Sequence, residues 1–92
     1  LNLVQYDMKG NSPLVSLLPA VAELEEDGKS VEDVLNDKFK QMGMRSTVFN
    51  DGSLVTTGYD YNKFLFTLKN GGKYAGKQVF SPQTAKFLLE NL

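Results

Sequence analysis

The chain has 92 residues, of which 41% are hydrophobic and 23% charged, and its net charge is −1 with acidic and basic residues interspersed. This length and composition predict one small globular domain or subdomain over residues 1–92, without the basic face that nucleic-acid binding requires. The absence of cysteine and histidine excludes disulfides, thiolate metal sites and histidine-based catalytic triads.

Membrane association is not expected either. No apolar run approaches the roughly 18 residues of a membrane span, and no signal peptide opens the chain. The sequence begins at Leu1 without an initiator methionine or a capping signal, which is typical of a piece of a longer protein.

A first helix is predicted from about Pro13 to Glu26. Ser12 and Pro13 form a cap and first-turn pair, and Asp27-Gly28 ends the helix. Pro19 lies inside the pattern, where it either kinks the helix or delays its start. Hydrophobic residues recur at helical spacing at Leu14, Leu17, Leu18, Val21 and Leu24.

A second helix is predicted from Ser30 to about Gln41. Ser30 is a capping residue, Glu32 and Asp33 lie in the positive first turn, and Gly43 is the stop. The apolar stripe consists of Val31, Val34, Leu35, Phe39 and Met42. Residues 50–53, with the sequence NDGS, are predicted to form a turn.

A third helix is predicted from Thr57 to Asn70. Thr57 and Asp60 have the spacing of a capping box with aspartate in place of glutamate, and Asn70-Gly71-Gly72 terminates the helix. The i, i+3, i+4, i+7 rule is followed by Tyr61, Phe64, Leu65 and Leu68.

A fourth helix is predicted to begin at Ser81-Pro82, again a cap and a first-turn proline. One side of it is apolar, with Ala85, Leu88, Leu89 and Leu92, and Phe87 beside them. Between the last two helices, residues 73–80 (KYAGKQVF) are predicted to form a turn and a short strand. The predicted fold class is therefore mainly α, with about four helices and a short strand or hairpin.

Residues 71–78, GGKYAGKQ, match the phosphate-loop pattern G-x-x-x-x-G-K. Gln78 stands where serine or threonine would bind magnesium. A phosphate loop needs a strand before it and a helix after it, and the predicted order here is the reverse. We therefore expect a helix terminator and a turn, with no nucleotide or other cofactor.

Acidic residues cluster around the end of the first helix and the start of the second, at Glu23, Glu25, Glu26, Asp27, Glu32 and Asp33. Carboxylate pairs serve acid–base chemistry when burial separates their pKa values. Acids at helix ends are routinely solvated, and we expect that role here.

Aromatic residues concentrate at Tyr59, Tyr61, Phe64, Phe66 and Tyr74. Phe64 lies on the apolar stripe and is predicted to be in the core. Tyr59 and Phe66 fall nearer the opposite helix face. If both are exposed, they mark a contact surface for a partner or for the rest of a larger protein.

The order of these signals from residue 51 to residue 88 resembles a segment of the penicillin-recognising serine hydrolases, which include class C β-lactamases, DD-peptidases and related esterases. The features of the likeness are Gly52 and Leu54, Thr56-Thr57, Asp60-Tyr61, Phe64, Asn70-Gly71-Gly72, Gly76, Ser81-Pro82 and Thr84, with Phe80 in place of the usual leucine.

Residues 28–47 are also similar to that family's helix leading into Pro-Leu-Gly-Met-x-x-Thr, with Gln41-Met42 in place of Pro-Leu and one residue fewer. The likeness covers about two-thirds of the chain. It implies that the chain is the helical part of a β-lactamase-like α/β fold, whose caps and apolar stripes brace the active-site cleft.

The catalytic residues of that family are missing. Its chemistry needs a serine followed by lysine three residues later, so that the amine takes the hydroxyl proton. Three positions after the six serines stand Val15, Pro19, Asp33, Phe49, Thr56 and Thr84. No catalytic residue is therefore assigned.

Two further family elements are absent. Residues 9–11, KGN, replace Tyr-x-Asn, and residues 69–71, KNG, are no substitute for the Lys-Thr-Gly strand. Only three residues separate Thr47 from Asp51, where the family has a long insertion.

Two main hypotheses follow. In the first, the chain is a scaffold or cleft-wall piece of a β-lactamase-like serine acyl hydrolase, and its partner is the remainder of that hydrolase. In the second, it is a free-standing, non-catalytic binding module that contacts a protein partner through Tyr59, Phe66 and the acidic residues 23–27. A small enzyme of different chemistry is the third alternative, but no residues can be named for it.

Overall fold

The computed structural model describes residues 3–7 and 13–91, with side chains described for residues 14–91. Its elements in chain order are β1 Leu3–Asp7, α1 Pro13–Glu25, α2 Val31–Gln41, β2 Val48–Asn50, β3 Ser53–Thr57, α3 Gly58–Lys69, β4 Lys73–Tyr74, β5 Lys77–Gln78 and α4 Pro82–Asn91. The four predicted helices and the hairpin are thus confirmed. Residues 9–11, Ser12 of the predicted cap and Leu92 of the predicted stripe lie outside the described residues.

The three helix caps within the described residues form as predicted. The Ser30 hydroxyl accepts a hydrogen bond from the Asp33 amide at 3.3 Å, and the Thr57 hydroxyl accepts one from the Asp60 amide at 3.0 Å. The Ser81 hydroxyl accepts one from the Thr84 amide at 3.2 Å. Each cap satisfies one of the amides that a helix N-terminus leaves without a partner.

Pro19 does not delay the start of α1, which begins at Pro13 and continues to Glu25. Proline has no N–H, so the Val15 carbonyl loses its helical donor. Leu14, Val15 and Leu18 are nevertheless buried on the same helix. Packing of this face offsets the lost hydrogen bond.

A three-stranded antiparallel sheet in the order β1-β3-β2 was not expected from the sequence. β1 pairs with β3 from Leu3 opposite Thr57 to Asp7 opposite Ser53. The strand predicted from the sequence lay only between the last two helices. The strands are three to five residues long, and such short segments show little of the period-two alternation by which strands are recognised.

The turn predicted at residues 50–53 is the tip of the β2–β3 hairpin, in which Asn50 pairs with Ser53. Asp51 and Gly52 both have positive φ angles, 51° and 73°. Two consecutive positive φ angles twist a two-residue loop in the sense that the strands require, and Asp-Gly is a preferred pair for it. The short connection after Thr47 is thus an ordered strand.

The second hairpin occupies the segment that matches the phosphate-loop pattern. Lys73 pairs with Gln78 and Tyr74 with Lys77, and the loop residues Ala75 and Gly76 have φ angles of 52° and 81°. The strand β5 directly follows Gly76, where a phosphate loop would have the N-terminus of a helix. The predicted terminator and turn are confirmed.

The hydrophobic core contains residues of all four helices and of the sheet. Most predicted stripe residues are buried, Phe64 among them. Leu17, Val31, Tyr61 and Leu65 are partly buried, and two are exposed, Leu24 at 63% and Leu89 at 40%.

Asp60 departs from the predicted capping box. Its carboxylate does not return to the cap residue; it accepts hydrogen bonds from the Ser46 amide at 2.8 Å and the Thr47 hydroxyl at 2.9 Å. The Thr47 hydroxyl also contacts the Thr56 hydroxyl at 2.7 Å. The buried carboxylate therefore joins the start of α3 to the segment before β2.

Asn36 covers the free edge of β2. Its amide nitrogen donates to the Phe49 carbonyl at 3.0 Å, and its amide oxygen accepts from the Phe49 amide at 2.9 Å. We expect Asn36→Ala to lower the free energy of unfolding by about 1–2 kcal/mol, because both strand groups lose their partner. Urea unfolding followed by circular dichroism measures this.

The control for Asn36→Ala is Lys40→Ala on the exposed side of the same helix. This substitution is expected to change stability by no more than about 0.5 kcal/mol. Equal effects of the two substitutions would show that the edge contact contributes nothing to stability.

Candidate functional site

An open groove of about 350 Å³ lies on the outer side of α3, lined by Tyr59, Asn62, Lys63, Phe66 and Tyr74. The first four residues have the spacing i, i+3, i+4 and i+7, so they share one helix face. Tyr74 comes from β4 and forms the opposite wall. The groove therefore combines three aromatic rings with one amide and one ammonium group.

Tyr59 and Phe66 are 61% and 58% exposed, whereas Phe64, between them in sequence, is 2% exposed. The prediction that α3 buries Phe64 and presents Tyr59 and Phe66 on another face is confirmed. Tyr61 and Tyr74 are partly buried against the core. Helix α3 thus uses one aromatic face for packing and leaves a second one uncovered.

Lys63 occupies a fixed position in the groove. Its ammonium donates to the Gly43 carbonyl at 2.8 Å and lies 4.5 Å from the centre of the Tyr59 ring. Cation–π attraction and the hydrogen bond hold the charge in place, while the ammonium retains further N–H donors. Within residues 14–91, no carboxylate lies within ion-pair distance of this ammonium.

The charges are less evenly mixed along the chain than expected. Residues 1–37 contain eight acidic and two basic residues, and residues 38–92 contain three acidic and eight basic residues. The groove lies in the basic part. Lys77 is the cross-strand partner of Tyr74, and directly paired residues of a hairpin point to the same side. The Lys77 side chain therefore lies on the same side of the hairpin as the Tyr74 wall.

A second polar cluster joins α1 to α4 and was missed at the sequence level. The Glu25 carboxylate accepts hydrogen bonds from the Ser81 amide at 3.1 Å, the Ser81 hydroxyl at 3.0 Å and the Thr84 hydroxyl at 2.8 Å. Its side chain is 6% exposed, and the Lys38 ammonium lies 3.6 Å away. The expectation that this acidic group is solvated was wrong for Glu25.

The signal that identifies Glu25 is its place on the buried stripe of α1. Leu18, Val21, Ala22 and Glu25 have the spacing i, i+3, i+4 and i+7, and the first three are buried. A carboxylate at such a position becomes buried, and its burial costs free energy unless hydrogen-bonding or charged partners are buried with it. The neighbouring Glu23 and Asp27 are exposed, as expected.

This Glu25 cluster contains a serine, a lysine and a carboxylate, but its hydrogen bonds are those of a structural joint. The Ser81 hydroxyl accepts from the Thr84 amide and donates toward Glu25. The Lys38 ammonium donates to the Val79 carbonyl at 2.7 Å. Since Ser81 caps α4 and Lys38 binds backbone, neither group is poised for nucleophilic attack.

The apolar cavity in the described part of the core is too small for a ligand. An apolar cavity of about 10 Å³ lies among core residues that include Leu14, Phe39 and Phe64, and this is about the volume of one water-sized probe. Within the described residues, no group of three acidic residues is arranged to hold a metal ion. None of the helices in that part of the chain is long and apolar enough to cross a bilayer.

The groove on α3 is therefore the candidate site. Comparison with family models, with curated proteins and with solved structures gives no match.

Proposed function

We propose that this chain is the non-catalytic helical lobe of a β-lactamase-like serine acyl hydrolase, bracing a cleft whose nucleophile lies on another lobe. The observation that supports the proposal is the role of the residues that resemble the family. Thr57 caps α3, Gly72 lies in the segment that ends it, and Ser81 caps α4. These positions, which resemble those of the family, therefore begin and end the helices of one packed unit.

The described serines give no alternative. None of them has a lysine one helical turn later, and the Ser81 hydroxyl is engaged in the cap and in the contact with Glu25. A lobe that positions substrate and contributes no nucleophile is consistent with both facts. Acyl transfer through a serine ester would then require groups from the other lobe.

We expect the purified 92-residue chain to give no labelling with a serine-directed fluorophosphonate and no turnover of a chromogenic β-lactam. An antibody raised against the chain is expected to capture from its source a fluorophosphonate-labelled species that contains Ser-x-x-Lys. Mass spectrometry identifies the captured polypeptides. Labelling of the isolated chain, or capture of an unlabelled species alone, contradicts the proposal.

A free-standing binding module is the second candidate, and the closed core favours it. The radius of gyration is 12.0 Å, close to the value of about 12 Å expected for a complete domain of this length. No buried polar side-chain atom in the described residues lacks a hydrogen-bond partner. Such a unit does not need a second lobe to complete its core.

Circular dichroism and size-exclusion chromatography of the isolated chain separate the two candidates. A monomer with a cooperative thermal transition favours the module. Aggregation, or a molten state that has secondary structure without cooperative unfolding, favours the lobe of a larger protein.

A further inference from the structure

We infer that the groove on α3 binds an acidic peptide segment that carries an aromatic or aliphatic side chain. The groove consists of the residues defined above, and Lys77 lies on the same side of the β4–β5 hairpin as Tyr74. An unpartnered aromatic face of this kind marks a contact surface. Its electrostatic character identifies the class of partner.

The size of the groove fits a short extended segment. Tyr59 and Phe66 are two helical turns apart, which is about 10 Å at 1.5 Å per residue. An extended peptide covers this distance with about three residues. Apolar side chains of that segment would stack on the exposed rings of Tyr59 and Phe66, which supply contact area at a low entropic cost.

The charge of the groove selects an acidic segment. Lys63 is held by the Gly43 carbonyl and the Tyr59 ring, so its ammonium needs little ordering when a carboxylate binds. Lys77 stands beside Tyr74. Neither cation has a carboxylate partner among the described residues. The groove therefore presents the Lys63 charge, without a carboxylate partner, beside an apolar surface, and Lys77 lies on the adjoining hairpin; a peptide with one or two carboxylates matches these charges.

Single-stranded nucleic acid is the competing occupant, because bases also stack on exposed aromatic rings. A strand presents one phosphate per nucleotide, and nucleic-acid affinity depends on how many of these charges are neutralised. Lys63 is the cation among the residues that line the groove, and the whole chain has net charge −1. The observations favour the peptide. The groove would keep this preference even if the chain were no part of a hydrolase.

The test is a titration of the 92-residue chain with a blocked six-residue peptide in which Asp alternates with Phe or Leu. The same peptide with Asn in place of Asp is the neutral control. Nuclear magnetic resonance shifts report where the peptide binds, and the dependence of these shifts on peptide concentration gives the affinity. We expect the acidic peptide to bind more tightly, to shift the α3 and β4 amides, and to weaken as salt is raised.

Variants locate the interaction. Phe66→Ser and Lys63→Gln are each expected to weaken binding about five- to tenfold, because an aromatic anchor or the fixed charge is lost. We expect Lys77→Gln to weaken binding less than these two variants do, because it leaves the walls of the groove intact. Leu24→Ser removes an equally exposed apolar side chain on α1 and is expected to leave affinity unchanged. Urea midpoints of the variants verify that each one folds.

Four outcomes overturn the inference. The first is equal binding of the acidic and neutral peptides, or no binding of either, and the second is an affinity that Phe66→Ser and Lys63→Gln leave unchanged. The third is tighter binding of a six-nucleotide single strand than of the acidic peptide. The fourth is self-association that Phe66→Ser abolishes. The last outcome would identify a second copy of the chain as the occupant.

Discussion

Gly72→Ala is expected to be among the most destabilising single substitutions in this chain, lowering the free energy of unfolding by about 3–5 kcal/mol. An added Cβ would lie 2.2 Å from the Phe80 carbonyl oxygen, and the φ angle of Gly72 is +89°. Backbone cannot rotate away as a side chain does, so β5 and the start of α4 must move. Urea unfolding monitored by circular dichroism measures the loss.

Gly71→Ala is the matched control for this prediction. The φ angle of Gly71 is also positive, at +68°, but a Cβ there would have nothing within 4 Å. We expect this substitution to cost only about 1 kcal/mol, the ordinary penalty for a side chain in the left-handed region. If the two alanine variants unfold at the same urea concentration, the contact with Phe80 does not constrain the fold.

The close approach at Gly72 explains why the end of α3 needs two glycines. The Gly72 carbonyl accepts hydrogen bonds from the Val79 amide at 2.8 Å and the Phe80 amide at 3.1 Å. These bonds draw the chain after β5 against the end of α3. Gly71 supplies the positive φ angle of the turn. Gly72 also supplies a positive φ angle and, because it lacks a Cβ, leaves room for the Phe80 carbonyl.

The second large effect is expected at Glu25, where Glu25→Gln should destabilise the fold by about 2–4 kcal/mol. The amide cannot accept from the Ser81 amide and both hydroxyls as the carboxylate does, and the nearby Lys38 ammonium loses its counter-charge. Because the carboxylate joins the end of α1 to the start of α4, the loss should affect global unfolding. Thermal and urea unfolding are the measurements.

Glu26→Gln is the control, one residue away. Glu26 forms an ion pair with Lys29 at 3.0 Å, and both side chains are exposed, at 39% and 64%. Exposed pairs contribute little, so we expect a change of no more than about 0.5 kcal/mol, and less at high salt. A Glu25→Gln variant as stable as Glu26→Gln would show that desolvation of the buried cluster costs as much free energy as its hydrogen bonds and ion pair contribute.

Helix boundaries were predictable because they depend on neighbouring residues. Ser30, Thr57 and Ser81 cap their helices through contacts that span three positions of the chain. Such contacts can be read from spacing alone. The burial of Phe64 and the exposure of Phe66 follow from the same helical periodicity.

The sheet and the polar joints were harder to predict because they depend on distant residues. β1 meets β3 across some fifty residues of sequence, and Glu25 meets Ser81 across 56 positions. One local signal was present and not used: Asp51-Gly52 between short apolar segments is a strong indication of a hairpin. A second such signal was the position of Glu25 on the apolar stripe of α1.

The groove required both levels of information. The sequence placed Tyr59 and Phe66 on one helix face, but the opposite wall came only from the fold, because Tyr74 reaches the groove through the β4–β5 hairpin. The Gly43 carbonyl that holds Lys63 lies 20 positions before it. No periodicity within α3 predicts these two contacts.

The sequence by itself determined the four helices, the caps at Ser30, Thr57 and Ser81, the main buried faces, and the absence of cysteine, histidine and any Ser-x-x-Lys, since all of these are properties of neighbouring residues or of composition. The tertiary structure decided the sheet, the Glu25 cluster and the groove around Lys63. These features are stabilised by groups that only folding brings together. Burial strengthens the hydrogen bonds and charge–charge interactions between those groups, which would contribute little in an open chain.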